Sequence, residues 1–263
     1  MSIHDKVSMI FCSCDAYSDM WQNFFFLLKK YWPEFDGEII LNTESQTFQY
    51  DGYSISEPLC CAKDTSWSER LSRSLDRAKN PYVLIMLEDF YLKAPVDHES
   101  FCSTLAYMQA HPDVAAITYL REFGAYKPVP SLPGFFLRRQ FSRYKITAHI
   151  TLYRRDYLRK LLRKTESAWE FEQSGTVRSW FMRGKFLGPE TSDHPVFPYD
   201  AGSLILRGKY YSGIKHYFEY AENLVFSDCR GEIKEWEDES GGKLTRRLSI
   251  LIRGFLSIFK QRA

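Results

Sequence analysis

Apolar positions in the first ninety residues alternate between short continuous runs and helical spacing. Val7-Ser8-Met9-Ile10-Phe11-Cys12, within Lys6 to Ser13, is compact enough for a strand and is followed by polar Asp15, Ser18 and Asp19. From Asp19 to Trp32, the residues Met20, Phe24, Leu27, Leu28 and Tyr31 recur at helical spacing until Pro33 stops the pattern. Glu38 to Asn42 then reads as a second buried strand ending in Thr43-Glu44, so the chain opens with a βαβ unit.

Ser66-Trp67-Ser68-Glu69 has the form of a capping box and predicts a helix to about Lys79. Pro81 to Leu87 is the most apolar stretch, suits a central parallel strand covered on both faces, and delivers Glu88-Asp89 to its carboxyl end. A helix over Glu99 to Gln109 and a strand over Val114 to Thr118 follow. Pro128 to Pro133 reads as a loop, Lys145 to Tyr153 as a strand and Asp156 to Lys164 as a basic helix. Ser167 to Gly208 is mixed, with a helix near Val177 to Met182 and short strands after it. Neither a repeat nor a linker precedes Gly241-Gly242, which predicts one α/β domain over residues 1–240 with a mostly parallel sheet.

Residues 241–263 form a separate pattern. Leu244, Leu248, Leu251, Phe255, Ile258 and Phe259 recur at helical spacing, while Arg246, Arg253 and Lys260 lie seven apart on another side. A helix from Lys243 to Arg262 would be about 30 Å long, too charged to span a bilayer but suited to lie on an anionic leaflet. The competing expectation is that its apolar face packs on the protein's own core or on another subunit.

Composition narrows the function classes. The 263 residues are 44% apolar and 26% charged, the balance of a soluble globular protein. With 35 Lys and Arg against 33 Asp and Glu, the net charge of +2 creates no global field for nucleic acid. A polar start, Met1-Ser2-Ile3-His4-Asp5-Lys6, lacks the apolar stretch of an export signal, and no apolar run reaches the roughly 18 residues that span a bilayer. The expected location is cytoplasmic, peripheral at the inner face of the membrane. Six cysteines without an export signal read as reduced thiols, and neither Cys12-Ser13-Cys14 nor Cys60-Cys61 is followed by a second pair at zinc spacing.

Ligands of open α/β sheets settle outside the carboxyl ends of the strands. Ser13 to Asp15, Thr43-Glu44 and Glu88-Asp89 all fall there. Consecutive carboxylates after an apolar strand need a cation, hydrogen-bond donors or water, and a divalent metal carrying a diphosphate would meet that need. The alternative is a solvated loop start.

Asp19-x-Trp21, Trp67-Ser68-Glu69-Arg70-Leu71 and Tyr82-Val83-Leu84-Ile85-Met86-Leu87-Glu88-Asp89-Phe90 occur in that order, and this pattern resembles the GT-A-fold glycosyltransferases of bacterial surface-polysaccharide clusters, those of O-antigen and capsule. The resemblance covers roughly the first 210 residues and implies a Rossmann-like sheet. It implies that Asp89 holds Mn²⁺ or Mg²⁺ on a nucleotide-sugar diphosphate, with Glu88 beside it as a nucleotide-binding residue, although Phe90 stands where the family often has a final acid. Ser13, Asp15 and Glu44 would recognise the nucleotide, and Arg70 would face the diphosphate, where a guanidinium can pair two oxygens at once. The implied general base for an inverting transfer lies in Trp169-Glu170-Phe171-Glu172, with Glu172 preferred to Glu170 and Trp169 as a sugar-stacking platform. The alternative is a capping or ion-paired couple beside core aromatics. Glu170 and Glu172 share a face on a strand and diverge on a helix. His194, in Ser192-Asp193-His194-Pro195, is a further candidate for a diphosphate or metal contact. The expected partners are a nucleotide-sugar donor, a glycan or lipid-linked acceptor and an anionic membrane.

Two other functions compete. A nucleotidyltransferase of sugar activation would use the same metal and diphosphate, but Phe11-Cys12-Ser13-Cys14-Asp15 contains neither the Gly nor the basic residue of its usual phosphate loop. A noncatalytic membrane- or partner-binding protein on a transferase scaffold is the second. P-loop, dinucleotide-binding and nucleophile-elbow motifs are absent.

Overall fold

The computed structural model describes residues 3–120, 125–191, 195–200, 204–234 and 243–262. Strand β1, Val7–Cys12, is buried along its whole length. A 3-10 turn, Asp15–Met20, leads into α1, Trp21–Tyr31, whose inward face Trp21, Phe24, Phe25, Leu27 and Leu28 covers the sheet. Phe11 of β1 meets Phe24 and Phe25 with ring centroids 4.6 and 5.0 Å apart, a separation at which aromatic pairs add stability beyond the area they bury. Strand β2, Glu38–Asn42, pairs parallel with β1 and completes the predicted βαβ unit.

Helix α2, Trp67–Arg77, starts where the cap was expected: Ser66 Oγ accepts from the Glu69 amide at 3.2 Å. Glu69 turns its carboxylate to Arg73, four residues on, at 3.0 Å. Strand β3, Tyr82–Leu87, is parallel to β1 on the side opposite β2. Helix α3, His98–Ala110, and β4, Val114–Thr118, agree with the sequence pattern.

Later elements depart more from the pattern. A hairpin of β5, Ala125–Pro128, and β6, Phe135–Arg138, flanks the predicted loop. The strand expected over Lys145 to Tyr153 shrinks to β7, Thr151–Arg154, because residues 145–150 leave the sheet to meet a helix. Helix α4 spans Arg155–Leu161. Helix α5 spans Ala168–Trp180, far longer than the expected Val177 to Met182, since a full capping box of Ser167 and Glu170 starts it early. Strand β8, Lys185–Pro189, β9, Ile205–Leu206, β10, Lys209–Tyr211, α6, Ser212–Glu222, β11, Glu232–Ile233, and α7, Lys243–Ser257, complete the chain.

The main sheet has the order β2-β1-β3-β7-β4-β8-β6-β5, in which only β6 and β7 run against the other strands. The fold is therefore mixed α/β with a mostly parallel central sheet. A small sheet, β11-β10-β9, lies beside it. One side of the main sheet is an aromatic-rich core around Phe11, Phe24, Trp32, Phe101 and Phe197; on the other, Leu71, Leu75, Leu158, Leu161 and Phe171 pack from α2, α4 and α5.

Helix α7 packs on α5. Gly254 sits where a Cβ would come within 2.6 Å of Val177, and Ser257 Oγ accepts from Arg178 at 2.7 Å. The same Arg178 makes a two-pronged ion pair with Glu166, both side chains 1% exposed. The packing face is thus made of small residues, while Leu251, Phe255 and Phe259 of the expected apolar stripe are exposed and Ile258 is partly buried. The side chains of Leu244, Arg246 and Leu248, and the expected boundary at Gly241-Gly242, lie outside the described residues. No helix among the described residues is long and apolar enough to cross a membrane.

Candidate active site

Parallel pairing brings three loop starts to one level. Cys12 is in register with Asn42 on β2 and with Leu87 on β3, so Ser13, Thr43 and Glu88 emerge side by side at the carboxyl edge. This is where an open α/β sheet leaves a crevice.

Four of the residues singled out in the sequence interlock there. Arg70, 8% exposed, reaches from α2 to pair with the Glu44 carboxylate and donates to the Ser13 carbonyl at 3.2 Å. The other Glu44 oxygen accepts the Asp15 amide at 2.6 Å. Asp15 in turn accepts from Ser45 Oγ at 2.6 Å and from the Ser45 and Gln46 amides at 3.1 Å. Burial alone would raise the Asp15 carboxyl, but these hydrogen bonds outweigh it and hold the group below its usual range. Trp21 Nε1 donates to Ser13 Oγ at 2.8 Å, tying α1 to the same rim. Among the described residues the buried Arg70 Nε has no hydrogen-bond partner.

Glu88 and Asp89 stand at the end of β3. Burial raises both carboxyls well above the usual range, and the Asp89 charge raises Glu88 further. Hydrogen bonds from their own backbone and, for Asp89, from the Ile205 amide of β9 offset part of this. Neighbouring groups record the same negative potential. The Cys14 thiol is pushed up to about 11 by burial, Glu88 and Glu44, and the Tyr17 phenol is raised by burial and then by Glu88.

Arg230 was not foreseen from the sequence. It acts on Glu88 more strongly than Arg70 does, stacks 4.3 Å from the Tyr17 ring centroid and grips Asp19. It arrives after α6, more than two hundred residues from Tyr17 and Asp19, in a Ser-Asp-Cys-Arg stretch without any periodic or motif signal. Tyr210 Oη also donates to Asp19, at 2.8 Å.

Phe90, the residue after the carboxylate pair, stacks on His149 with centroids 5.1 Å apart and planes 9° from parallel. Burial pushes the imidazole down to about 4, so it is neutral, and Nδ1 lies 3.1 Å from Tyr199 Oη. Glu172 braces this wall. Its carboxylate accepts from the Ala148 amide at 2.7 Å and Thr147 Oγ1 at 3.0 Å, and burial raises its proton affinity.

Glu170 and Glu172 lie on a helix and diverge. The Glu170 carboxylate accepts from the Ser167 amide and hydroxyl, each at 2.9 Å, which completes the cap and lowers its proton affinity. Trp169 is 69% exposed and Trp67, not Trp169, packs against Phe171. His194 lies outside the described residues. Among the described residues no three His, Cys, Asp or Glu side chains are grouped to hold a metal. None of the six cysteines, all among the described residues, is joined to another in a disulfide.

No protein-family model matches the chain. No curated protein matches it. Among solved structures, S. aureus TarS 1-349, also determined in complex with UDP, is similar over 74% of this chain and 59% of that one, with 16% identity and a TM-score of 0.49. Glucosyl-3-phosphoglycerate synthase from Mycobacterium tuberculosis, in complex with Mn²⁺ and UDP-glucose, is similar over 68% of this chain and 66% of that one, with 11% identity and a TM-score of 0.43. The chain thus spans less than two thirds of the length of either.

Proposed function

We propose that the protein is a nucleotide-sugar-dependent glycosyltransferase of the GT-A kind, transferring a sugar to a surface-glycan acceptor with inversion. The observation that carries this reading is the adjacent Glu88-Asp89 pair at the end of β3, flanked by Arg230 and by the Ser13, Asp15, Glu44 and Arg70 rim. A nucleoside bound at that rim would direct its diphosphate toward the carboxylates.

The donor set suits a divalent cation that keeps most of its coordination for phosphate oxygens, which takes one or two carboxylates from the protein. Asp89, braced by Ile205, would hold Mn²⁺ or Mg²⁺ with Glu88 beside it, and the ion would neutralise charge on the departing diphosphate. Because the charge of Arg230 acts on Glu88 ahead of that of Arg70, we assign to Arg230 a share of the diphosphate charge beside Arg70.

Of the two α5 carboxylates we assign the base role to Glu172. Its raised proton affinity and its place behind residues 147–149 favour it, whereas Glu170 is committed to the cap. Trp169, exposed one turn away, is the proposed acceptor platform. The acceptor is proposed to be lipid-linked, of the O-antigen or capsule type, with the protein peripheral at the inner face of the cytoplasmic membrane; the exposed apolar residues of α7 support this placement.

Calorimetric titration with UDP, the nucleotide of the TarS complex, and with the other nucleoside diphosphates tests the reading, with and without Mn²⁺. Binding that weakens in EDTA and in Asp89→Asn is expected. Absence of binding to any nucleoside diphosphate would reject the enzyme and favour the noncatalytic alternative. A hydrolysis screen over nucleotide sugars then identifies the donor.

A further inference from the structure

A second charged site lies on the helical face, away from the carboxylate pair. A cavity of about 470 Å³ opens between α4, α5 and the end of α7, and five cations line it: Lys160, Arg163, Arg178, Arg183 and Arg262. Residues 181–183 lead into Lys185, which pairs with Val114 at the start of β4. β4 is parallel to β3, so the cavity adjoins the opposite edge of the sheet from Glu88.

Positive charge here is poorly compensated. Glu166 is fully engaged with Arg178, and among the described residues no carboxylate pairs with Lys160, Arg183 or Arg262. Arg163, which donates to the Ser257 carbonyl at 3.1 Å, is pulled below its ordinary value first by burial and then by the charges of Arg178 and Arg262. Such crowding costs stability unless an anion relieves it.

The cavity borders an apolar surface. Phe181 lines it and meets Phe255 of α7 at 5.5 Å between centroids. Ile252, Phe255 and Leu256 are spaced to share one face of α7, and Phe259 follows in the turn after the helix; they are 52, 48, 61 and 87% exposed. Gly254 and Ser257, turned toward α5, leave this face outward.

We propose that this cavity receives the phosphate headgroup of an anionic phospholipid while the exposed face of α7 enters the acyl boundary. The occupant follows from the combination of chemistries: a soluble anion would use the cations and leave the apolar face in water, whereas a lipid uses both. The proposal rests on the membrane placement given above and names the residues that would produce it.

The test is cosedimentation of the full chain with phosphatidylglycerol and with phosphatidylcholine vesicles. Partitioning onto the anionic vesicles alone is expected, weakening as salt is raised. A variant carrying Lys160→Gln, Arg183→Gln and Arg262→Gln, all exposed positions, should partition roughly a hundredfold less, from about fivefold per cation, at a melting temperature no lower than that of the native chain, since the substitutions relieve the crowding at Arg163. If the triple variant does not fold, Arg183→Gln alone should lose about fivefold. Phe259→Ser with Leu256→Ser should weaken binding without changing the response to inorganic phosphate. Equal partitioning of native and charge-reduced chains, or none by the native chain, overturns the proposal. Stabilisation by inorganic phosphate without vesicle binding also overturns it, in favour of a free anion. A thermal shift with UDP, measured on the same samples, separates the two readings: vesicle binding without a UDP response rejects the donor site alone, and the converse rejects this site alone.

Discussion

Arg230 holds Asp19 through two nitrogens, Nε at 2.9 Å and Nη2 at 2.7 Å, and so fastens the segment after α6 to the turn that precedes α1. Burial alone would raise the Asp19 carboxyl, yet the hydrogen bonds from Arg230 and Tyr210 outweigh it and hold the group below its usual range. A carboxyl lowered by folding contributes stability above its unfolded pKa and loses it as pH falls through the folded value. Arg230→Lys keeps the charge but loses the fork, and should weaken UDP binding at least severalfold while flattening the acid side of the stability curve. Melting temperatures from pH 3 to 7 and a UDP titration check both.

Glu88 and Asp89 carry the opposite sign. Folding raises both carboxyls, so the folded chain binds protons more tightly and its stability falls as pH rises from the ordinary carboxylate range toward the raised values. Asp89→Asn should abolish transfer, by about a hundredfold or more, and yet make the melting temperature less sensitive to pH between 5 and 8. An unchanged slope would show that the pair is not strained in the folded chain.

Glu172→Gln should lower kcat by about a hundredfold with little change in nucleotide affinity, as removal of a general base does. Glu170→Gln should cost about 1 kcal/mol of stability through the lost cap and leave turnover intact. A Glu172→Gln protein that turns over normally but melts earlier would make Glu172 a brace for residues 147–149 only.

Arg178→Ala strips the partner from a carboxylate that is almost fully enclosed, and should destabilise the fold by about 3–5 kcal/mol. Replacing both Arg178 and Glu166 by Met should cost much less. Chemical denaturation of the single and paired variants gives the comparison. Hydrogen exchange in α7 should accelerate in both, because each loses the bond to Ser257.

The opening βαβ unit, β3, α3 and β4 were legible because each buries one continuous run or one helical stripe whose period reports the element, and α2 because Ser66 and Glu69 mark its start. The start of α5 was not, since Trp169, Glu170 and Glu172 give no apolar stripe; of the two readings open for these carboxylates, the capping one holds for Glu170. The rim residues were legible as loop starts after strands, but their mutual pairing was not: nothing local says that Arg70 will spend its guanidinium on Glu44. Arg230 was invisible for the same reason, its partners being set by the path of α6 and β10. In the tail the periodicity was legible, yet the packing face is Gly254 and Ser257, small residues that an apolar count passes over.

The place of β7 between β3 and β4 bears on how the chain acquires its fold during synthesis. β3 and β4 share no ladder with each other; each pairs with β7, whose residues leave the ribosome more than thirty positions after β4. The half built from β1, β2 and β3 can assemble as it emerges, but β4 waits with both long edges unsatisfied until Thr151 to Arg154 arrives to join the halves. Joining strands so far apart in sequence is slow, and a nascent chain stalled before that point would expose an open β3 edge to its neighbours. Ribosome-bound chains ending shortly before β7 should therefore be the most dependent on chaperones.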